Sequence, residues 1–269
     1  MLFKNKKCFK CNREYEEVLD ECPHCFTPNK DYEELGIPKK LIMLPWLNQI
    51  GLFAIGLIGL VIFQILFSII FGSALGQSNS LAILLSNVIP YILIVLALLF
   101  SLLTFRKKIF NSFKKPYDFL IGFGFGLIII GISYLYTNVF LESLNIGSNN
   151  NQSTFEMLVT DYPVLTLLIF GIVAPTVEEL TYRVGLFSLG YRVNKYVAYV
   201  IVIIIFGFIH FDFEGNMTVE FLNLPTYMIA GLLFCLAYRF SGFAGCLTAH
   251  TVNNVFSIVA TIIMMNYGK

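Results

Sequence analysis

Long apolar runs leave this chain few ways to fold. Seven occur, at about residues 46–72, 81–105, 117–141, 164–189, 196–211, 221–240 and 243–265. A helix needs about 20 apolar residues to cross roughly 30 Å of hydrocarbon, and most of the runs reach that length. The fifth is short and is expected to tilt or to extend through its flanks. Only 13% of the 269 residues are Asp, Glu, Lys or Arg, where a soluble domain carries about 25%. So little charge does not cover a water-facing surface. The expected fold is an all-α polytopic membrane helix bundle of about seven transmembrane helices. The same scarcity of charge argues against nucleic acid as a partner and makes the lipid bilayer the main one.

The basic residues are partitioned. Eight precede the first run, and Arg106, Lys107, Lys108, Lys114 and Lys115 separate the second from the third. Arg192 and Lys195 lie between the fourth and fifth runs, and Arg239 closes the sixth. On a seven-helix count these all fall on one side. The opposite connections are uncharged (73–80) or carry only acids (142–163 and 212–220), with Lys269 the one exception. The positive-inside rule then puts the N-terminus in the cytoplasm and the C-terminus outside the cell membrane. No cleavable leader pattern precedes the first run, so that run is expected to act as the targeting element. The polar stretch 145–153 reads as a plain loop on the outer side.

Residues 1–40 read as a separate, water-facing module. They hold Cys8, Cys11, Cys22 and Cys25 as two CxxC knuckles. Paired knuckles of this kind close a tetrahedral four-cysteine zinc site. A segment this small lacks its own core and needs a metal as a staple. The alternative, a pair of disulfides, belongs to oxidising compartments, whereas the charge pattern places the module in the cytoplasm. His24, inside the second knuckle, is not needed as a ligand. The basic residues around the knuckles suit a contact with a cytoplasmic protein or with anionic headgroups.

Within the apolar runs, a few polar residues stand out. Glu178, Glu179 and Arg183 share the fourth run, and each charge at a bilayer centre costs about 2.5–3.5 kcal/mol on insertion scales. Glu179 and Arg183 are i, i+4, so they can pair on one helix face. Glu178 points about 100° away and is left over, with Tyr182 on its own face. Phe206 and His210 are i, i+4 near the end of the fifth run, and His250 and Asn254 are i, i+4 in the seventh. A single buried His or Asn is usually interhelical glue. Together, however, these residues suit hydrolysis: a carboxylate and an imidazole can deprotonate water, and a second imidazole with an amide can hold an oxyanion. Gly122, Gly124 and Gly126 resemble a phosphate loop only superficially. Gly122 and Gly126 form a GxxxG face, which is helix-packing material.

Glu-Glu-x-x-x-Arg at 178–183, Phe-x-x-x-His at 206–210 and His-x-x-x-Asn at 250–254, in this order, resemble the CPBP family. These are the type II CAAX prenyl endopeptidases and Abi or bacteriocin-processing proteins, intramembrane glutamic proteases. The resemblance implies that Glu178 activates water with help from His210. It implies an oxyanion site at His250 and Asn254, with Glu179, Arg183 and Phe206 in support. No catalytic metal is implied, only structural zinc in the ribbon. The chain would divide into a ribbon and linker (1–40), three N-terminal helices and a loop (41–163) and a catalytic core (164–269). The substrate would be a membrane protein or peptide. Three other readings are a non-catalytic bacteriocin self-immunity protein of the same fold, a metal-dependent membrane protease and a transporter.

Overall fold

The computed structural model describes residues 4–267; Lys269 lies outside them. Two short strands, β1 (Asn5–Lys7) and β2 (Glu14–Glu16), pair antiparallel and carry the first knuckle between them. Besides short 3-10 turns at Tyr32–Leu35 and Leu103–Phe105, eight longer helical segments follow among the described residues. They are α1 (Trp46–Leu75), α2 (Ser80–Ser101), α3 (Arg106–Ser112), α4 (Pro116–Leu141), α5 (Asn150–Asp161), α6 (Pro163–Val193), α7 (Lys195–Phe208) and α8 (Met217–Tyr267). The fold is an all-α polytopic membrane bundle with a small four-cysteine N-terminal element.

Five helices among the described residues, not seven, are long and apolar enough to span a membrane. Two local features cause the difference. The sixth and seventh runs are two helices that meet at Gly242, whose φ 70° and ψ −166° are not helical; together they make up the single stretch α8. Glycine tolerates that left-handed backbone because it lacks a Cβ. The fifth run yields α7, whose 14 residues rise only about 21 Å. Asn194 caps its start by accepting from the Tyr196 amide, and the helix stops before His210.

The stretch 145–153 is also more than a loop. Asn149 caps α5 by accepting from the Gln152 amide at 3.1 Å. The buried Glu220 carboxylate of α8 accepts from the Asn150 and Asp212 amides. These bonds satisfy orphan amides at the start of the helix and pin α5 to the bundle. Composition alone carried neither partner, so the helix was invisible to it.

Helix α6 is central. In it, 56% of the most apolar stretch is buried, against 11% for α1, so α1 faces outward and α6 inward. Pro175 lacks the amide that would continue the ladder, and the turn before it, Ile169–Val173, widens to π geometry. A second π stretch, Glu179–Phe187, carries Glu179 and Arg183. Such wide turns recur at functional sites because they redirect side chains. Helices α4 and α8 approach closely. A Cβ on Gly122 would lie 2.1 Å from the Gly245 carbonyl oxygen, and one on Gly126 would lie 2.9 Å from Val252.

The N-terminal element is clamped onto the bundle. Arg192, near the end of α6, is buried and binds the Glu16 carboxylate and the Leu44 carbonyl, with its Nε donating to Gln49 Oε1 at 2.7 Å. Lys108 of α3 pairs with Asp20. Lys40 Nζ lies 2.5 Å from Asp118 in the first turn of α4, where the helix dipole also favours a carboxylate. Residues 41–44 are buried and join the ribbon and the bundle in one apolar core.

Two outcomes are expected. Gly122→Ala should cost about 1–3 kcal/mol, because a backbone carbonyl faces the new methyl and the helices must separate. Arg192→Ala should cost about 3–5 kcal/mol by stranding Glu16 at a part-buried site. Both are read as lowered denaturation midpoints of the purified protein in detergent.

Candidate active site and metal centre

Arg183 and Glu179 are both fully buried, with Nη1 3.1 Å from Oε1. A buried pair persists only when further hydrogen bonds and polarisable neighbours compensate its lost hydration. Here the guanidinium lies over the rings of Phe206 and Phe234, at 4.7 and 5.2 Å. Its Nη2 donates to the Gly231 carbonyl at 3.3 Å. The Glu179 carboxylate accepts from the Cys246 thiol through Oε2 and contacts His250 Nδ1 at 2.7 Å through Oε1. The carboxylate has no proton to give, so Nδ1 is the donor, and the other ring nitrogen is aimed away from Glu179.

That nitrogen, Nε2, lies 3.8 Å from Glu178 Oε2. The imidazole is held flat against Phe234, centroid to centroid 4.3 Å at 22°. Glu178 Oε1 accepts from the Tyr91 hydroxyl at 3.4 Å. Its Oε2 is buried and has no hydrogen-bond partner. Buried polar atoms rarely stay unpartnered, and Glu178 borders a cavity of about 430 Å³, ample for water.

His210 Nδ1 donates to the Phe206 carbonyl at 2.8 Å, and its ring stacks on Tyr227 at 4.5 Å and 11°. A ring whose Nδ1 is the donor keeps its lone pair on Nε2 when neutral. The Asn254 side chain donates to the Phe170 carbonyl at 2.9 Å and accepts from Asn253. One Asn254 N–H therefore remains after these bonds.

The structure brings Glu178, Phe206, His210, His250 and Asn254 to one cavity, together with Tyr182. Glu179 and Arg183 stand behind it and do not line it. Sequence reasoning missed Tyr91, Phe234, Tyr227 and Cys246. Cys246 lies four residues before His250, so its spacing signalled a shared face. Tyr91 gave no such signal, because an aromatic inside an apolar run reads as core.

The four thiols of Cys8, Cys11, Cys22 and Cys25 lie within 4.8 Å of one another. Cys8 and Cys25 Sγ are 3.5 Å apart, and Cys11 and Cys22 Sγ are 3.8 Å apart. A tetrahedral ion with Zn–S bonds of about 2.3 Å requires S···S distances near 3.8 Å, so the donor set fits zinc. The knuckles repeat each other. Cys8 N–H donates to Arg13 O as Cys22 N–H does to Thr27 O, and Asn12 N–H donates to Cys8 O as Phe26 N–H does to Cys22 O. Asn12 and Phe26 both take positive φ, 58° and 56°. The Thr27 hydroxyl, 3.1 Å from Cys25 Sγ, pulls that thiol down to about 6, toward the thiolate that a metal needs.

Residues 160–256 match the family model described as type II CAAX prenyl endopeptidase Rce1-like. This segment is Rce1-like. It contains all three motifs of the CPBP resemblance and supplies about half of the residues that line the cavity. The match covers about a third of the chain, from the end of α5 into the second half of α8. Among curated relatives, the UPF0177 protein YvdC of Lactococcus lactis is 25% identical over 187 residues, covering 67% of this chain and 68% of that protein. An uncharacterized protein of Mycoplasma capricolum is 27% identical over 241 residues, covering 81% of this chain and 68% of that one. No solved structure matches the chain.

The ribbon is expected to carry one zinc ion per chain by elemental analysis. Cys22→Ser should lower the zinc-to-protein ratio by more than half. An unchanged ratio would exclude these thiols as the ligands.

Proposed function

We propose that this protein is an intramembrane endopeptidase that hydrolyses a peptide bond of a membrane protein or peptide with water activated by Glu178. One observation carries the reading: Glu178 lines the cavity, and its buried Oε2 has no hydrogen-bond partner, with His250 Nε2 3.8 Å away. The Rce1-like match supports the same reading.

In this scheme Glu178 takes a proton from a water that His210 Nε2 helps to hold. The water oxygen bonds to the peptide carbonyl carbon, and the developing oxyanion is met by Asn254 N–H and by His250 when both its ring nitrogens are protonated. Glu178 then returns the proton to the amine nitrogen as the C–N bond breaks. No covalent enzyme intermediate forms. Glu179 and Arg183 act through His250, the first by fixing its tautomer and direction and the second by neutralising Glu179. Tyr91 leaves Glu178 Oε2 as the free oxygen.

The zinc ribbon is read as a cytoplasmic element that a partner protein can contact, because the Lys and Arg residues gather on its side of the bundle. The chain is read as ribbon (1–40), N-terminal helices (41–163) and catalytic core (164–269), the last of which overlaps the Rce1-like match at 160–256.

Glu178→Gln keeps the shape and removes the base. It should lower hydrolysis by a factor of about 10²–10⁴ while the melting temperature in detergent stays close to the parent's. Quantitative mass spectrometry of membrane peptides from cells with either form measures the loss. Identical peptide profiles would overturn the hydrolase reading.

A further inference from the structure

The cavity at Glu178 has an unusual wall for a membrane interior. Six side-chain amides border it: Gln64, Asn87, Asn151, Gln152, Asn253 and Asn254. They come from α1, α2, α5 and α8, so they surround the space rather than mark one face. Each spends an N–H inside the protein. Gln64 donates to Asn87 Oδ1 at 2.9 Å, Asn87 to the Ile83 carbonyl, Asn151 to the Tyr227 hydroxyl, and Gln152 to Glu156. An amide has two donor hydrogens and one acceptor oxygen, so each retains a second N–H. Among the described residues, no Lys or Arg borders the cavity, and Glu178 is its one carboxylate.

We propose that this cavity binds an extended, uncharged stretch in the interior of a polypeptide, held by amide-to-backbone hydrogen bonds, and not a prenylated C-terminus. Three physical arguments lead there. An isoprenoid tail packed on these amides would leave their remaining N–H groups without partners, which is costly away from water. A free C-terminal carboxylate would meet the Glu178 carboxylate, with no Lys or Arg among the described wall residues to offset it. A peptide unit, by contrast, offers one N–H and one C=O, the complement of what the amides retain. A helical substrate satisfies those groups internally, so the wall rewards only an unwound chain. Unwinding is also what exposes a carbonyl to attack.

A second cavity extends the path. Gln64 and Asn87 border it too, with Ile65, Ser68, Ile69, Ile83 and Ser86. Ile65 and Ile69 are 57% and 66% exposed, so this groove opens on the outer faces of α1 and α2. A chain lying through both spaces runs from Glu178 past Gln64 and Asn87 to the outer face of α1.

The subsite deepens the hydrolase reading, but it is testable without turnover. The Glu178→Gln protein in nanodiscs is titrated with a fluorescein-labelled peptide with acetylated and amidated ends. Its centre is Gly, Ala, Ser and Gln, and its flanks are Leu-rich. The comparison is an S-farnesylated peptide of equal length with a free C-terminal carboxylate. The blocked peptide should bind at least about tenfold more tightly. Gln64→Leu with Asn87→Leu should weaken it about tenfold, and Gln152→Ala, on α5, should weaken it in the same direction. Melting curves in detergent verify that both variants are folded. Equal or tighter binding of the farnesylated peptide overturns the proposal, as does unchanged affinity in both variants. If the protein with Glu178 intact binds the blocked peptide without cutting it, the hydrolase reading fails and the subsite stands.

Discussion

A carboxylate with no access to water governs the centre of this molecule. Glu179 is fully buried, and its charge is shared by Arg183, His250 and the thiol of Cys246. Losing hydration costs several kcal/mol per ion in a low-dielectric interior, so the arrangement holds only while all three partners stay in place. That requirement ties α6 to α8. It also fixes the one imidazole that faces Glu178, since an Nδ1 committed to Glu179 leaves Nε2 no other direction. The aromatic rings of Phe206 and Phe234 serve both ends of the network, lying under the guanidinium and beside His250.

The ribbon reaches the same centre from outside the apolar region. The Ile42 amide donates to the Tyr238 hydroxyl at 2.8 Å, Tyr238 lies 3.1 Å from Ser188 Oγ, and Ser188 donates to the Arg183 carbonyl at 2.9 Å. Because Tyr238 accepts at one end and Ser188 donates at the other, the bonds run in a single direction. Arg192, on the same helix as Glu178, clasps Glu16 of β2. The linker is therefore packed into the bundle rather than strung between two bodies. A four-cysteine site that orders the ribbon also orders the chain leading into α1.

The polar residues of the site were legible because a membrane chain has so few of them. Glu178, Glu179, Arg183, His210, His250 and Asn254 stand out against apolar neighbours, and i, i+4 spacing separates the Glu179–Arg183 pair from Glu178. The cysteine knuckles were legible by spacing. Tyr91 and Phe234 were not, since an aromatic in an apolar run has the same signature whether it touches lipid, core or carboxylate. The helix α5 was hidden because its cap and its pin, Asn149 and Glu220, are 71 residues apart. The break between the sixth and seventh runs was legible as well: Gly242, where the backbone leaves helical geometry, falls between them.

The sequence by itself determined the class of fold, the position of the four-cysteine site and which carboxylate lacks an arginine. These follow from local rules: hydrophobic length, ligand spacing and the 3.6-residue turn. Only the tertiary structure decided what each polar atom meets. The second partner of Glu179 is His250, one donor of Asn254 is taken by Phe170, and the amides that wall the cavity come from helices far apart in the chain. Hydrogen bonds depend on distances and directions between elements, and those are set by how the helices pack, which no single stretch of sequence contains.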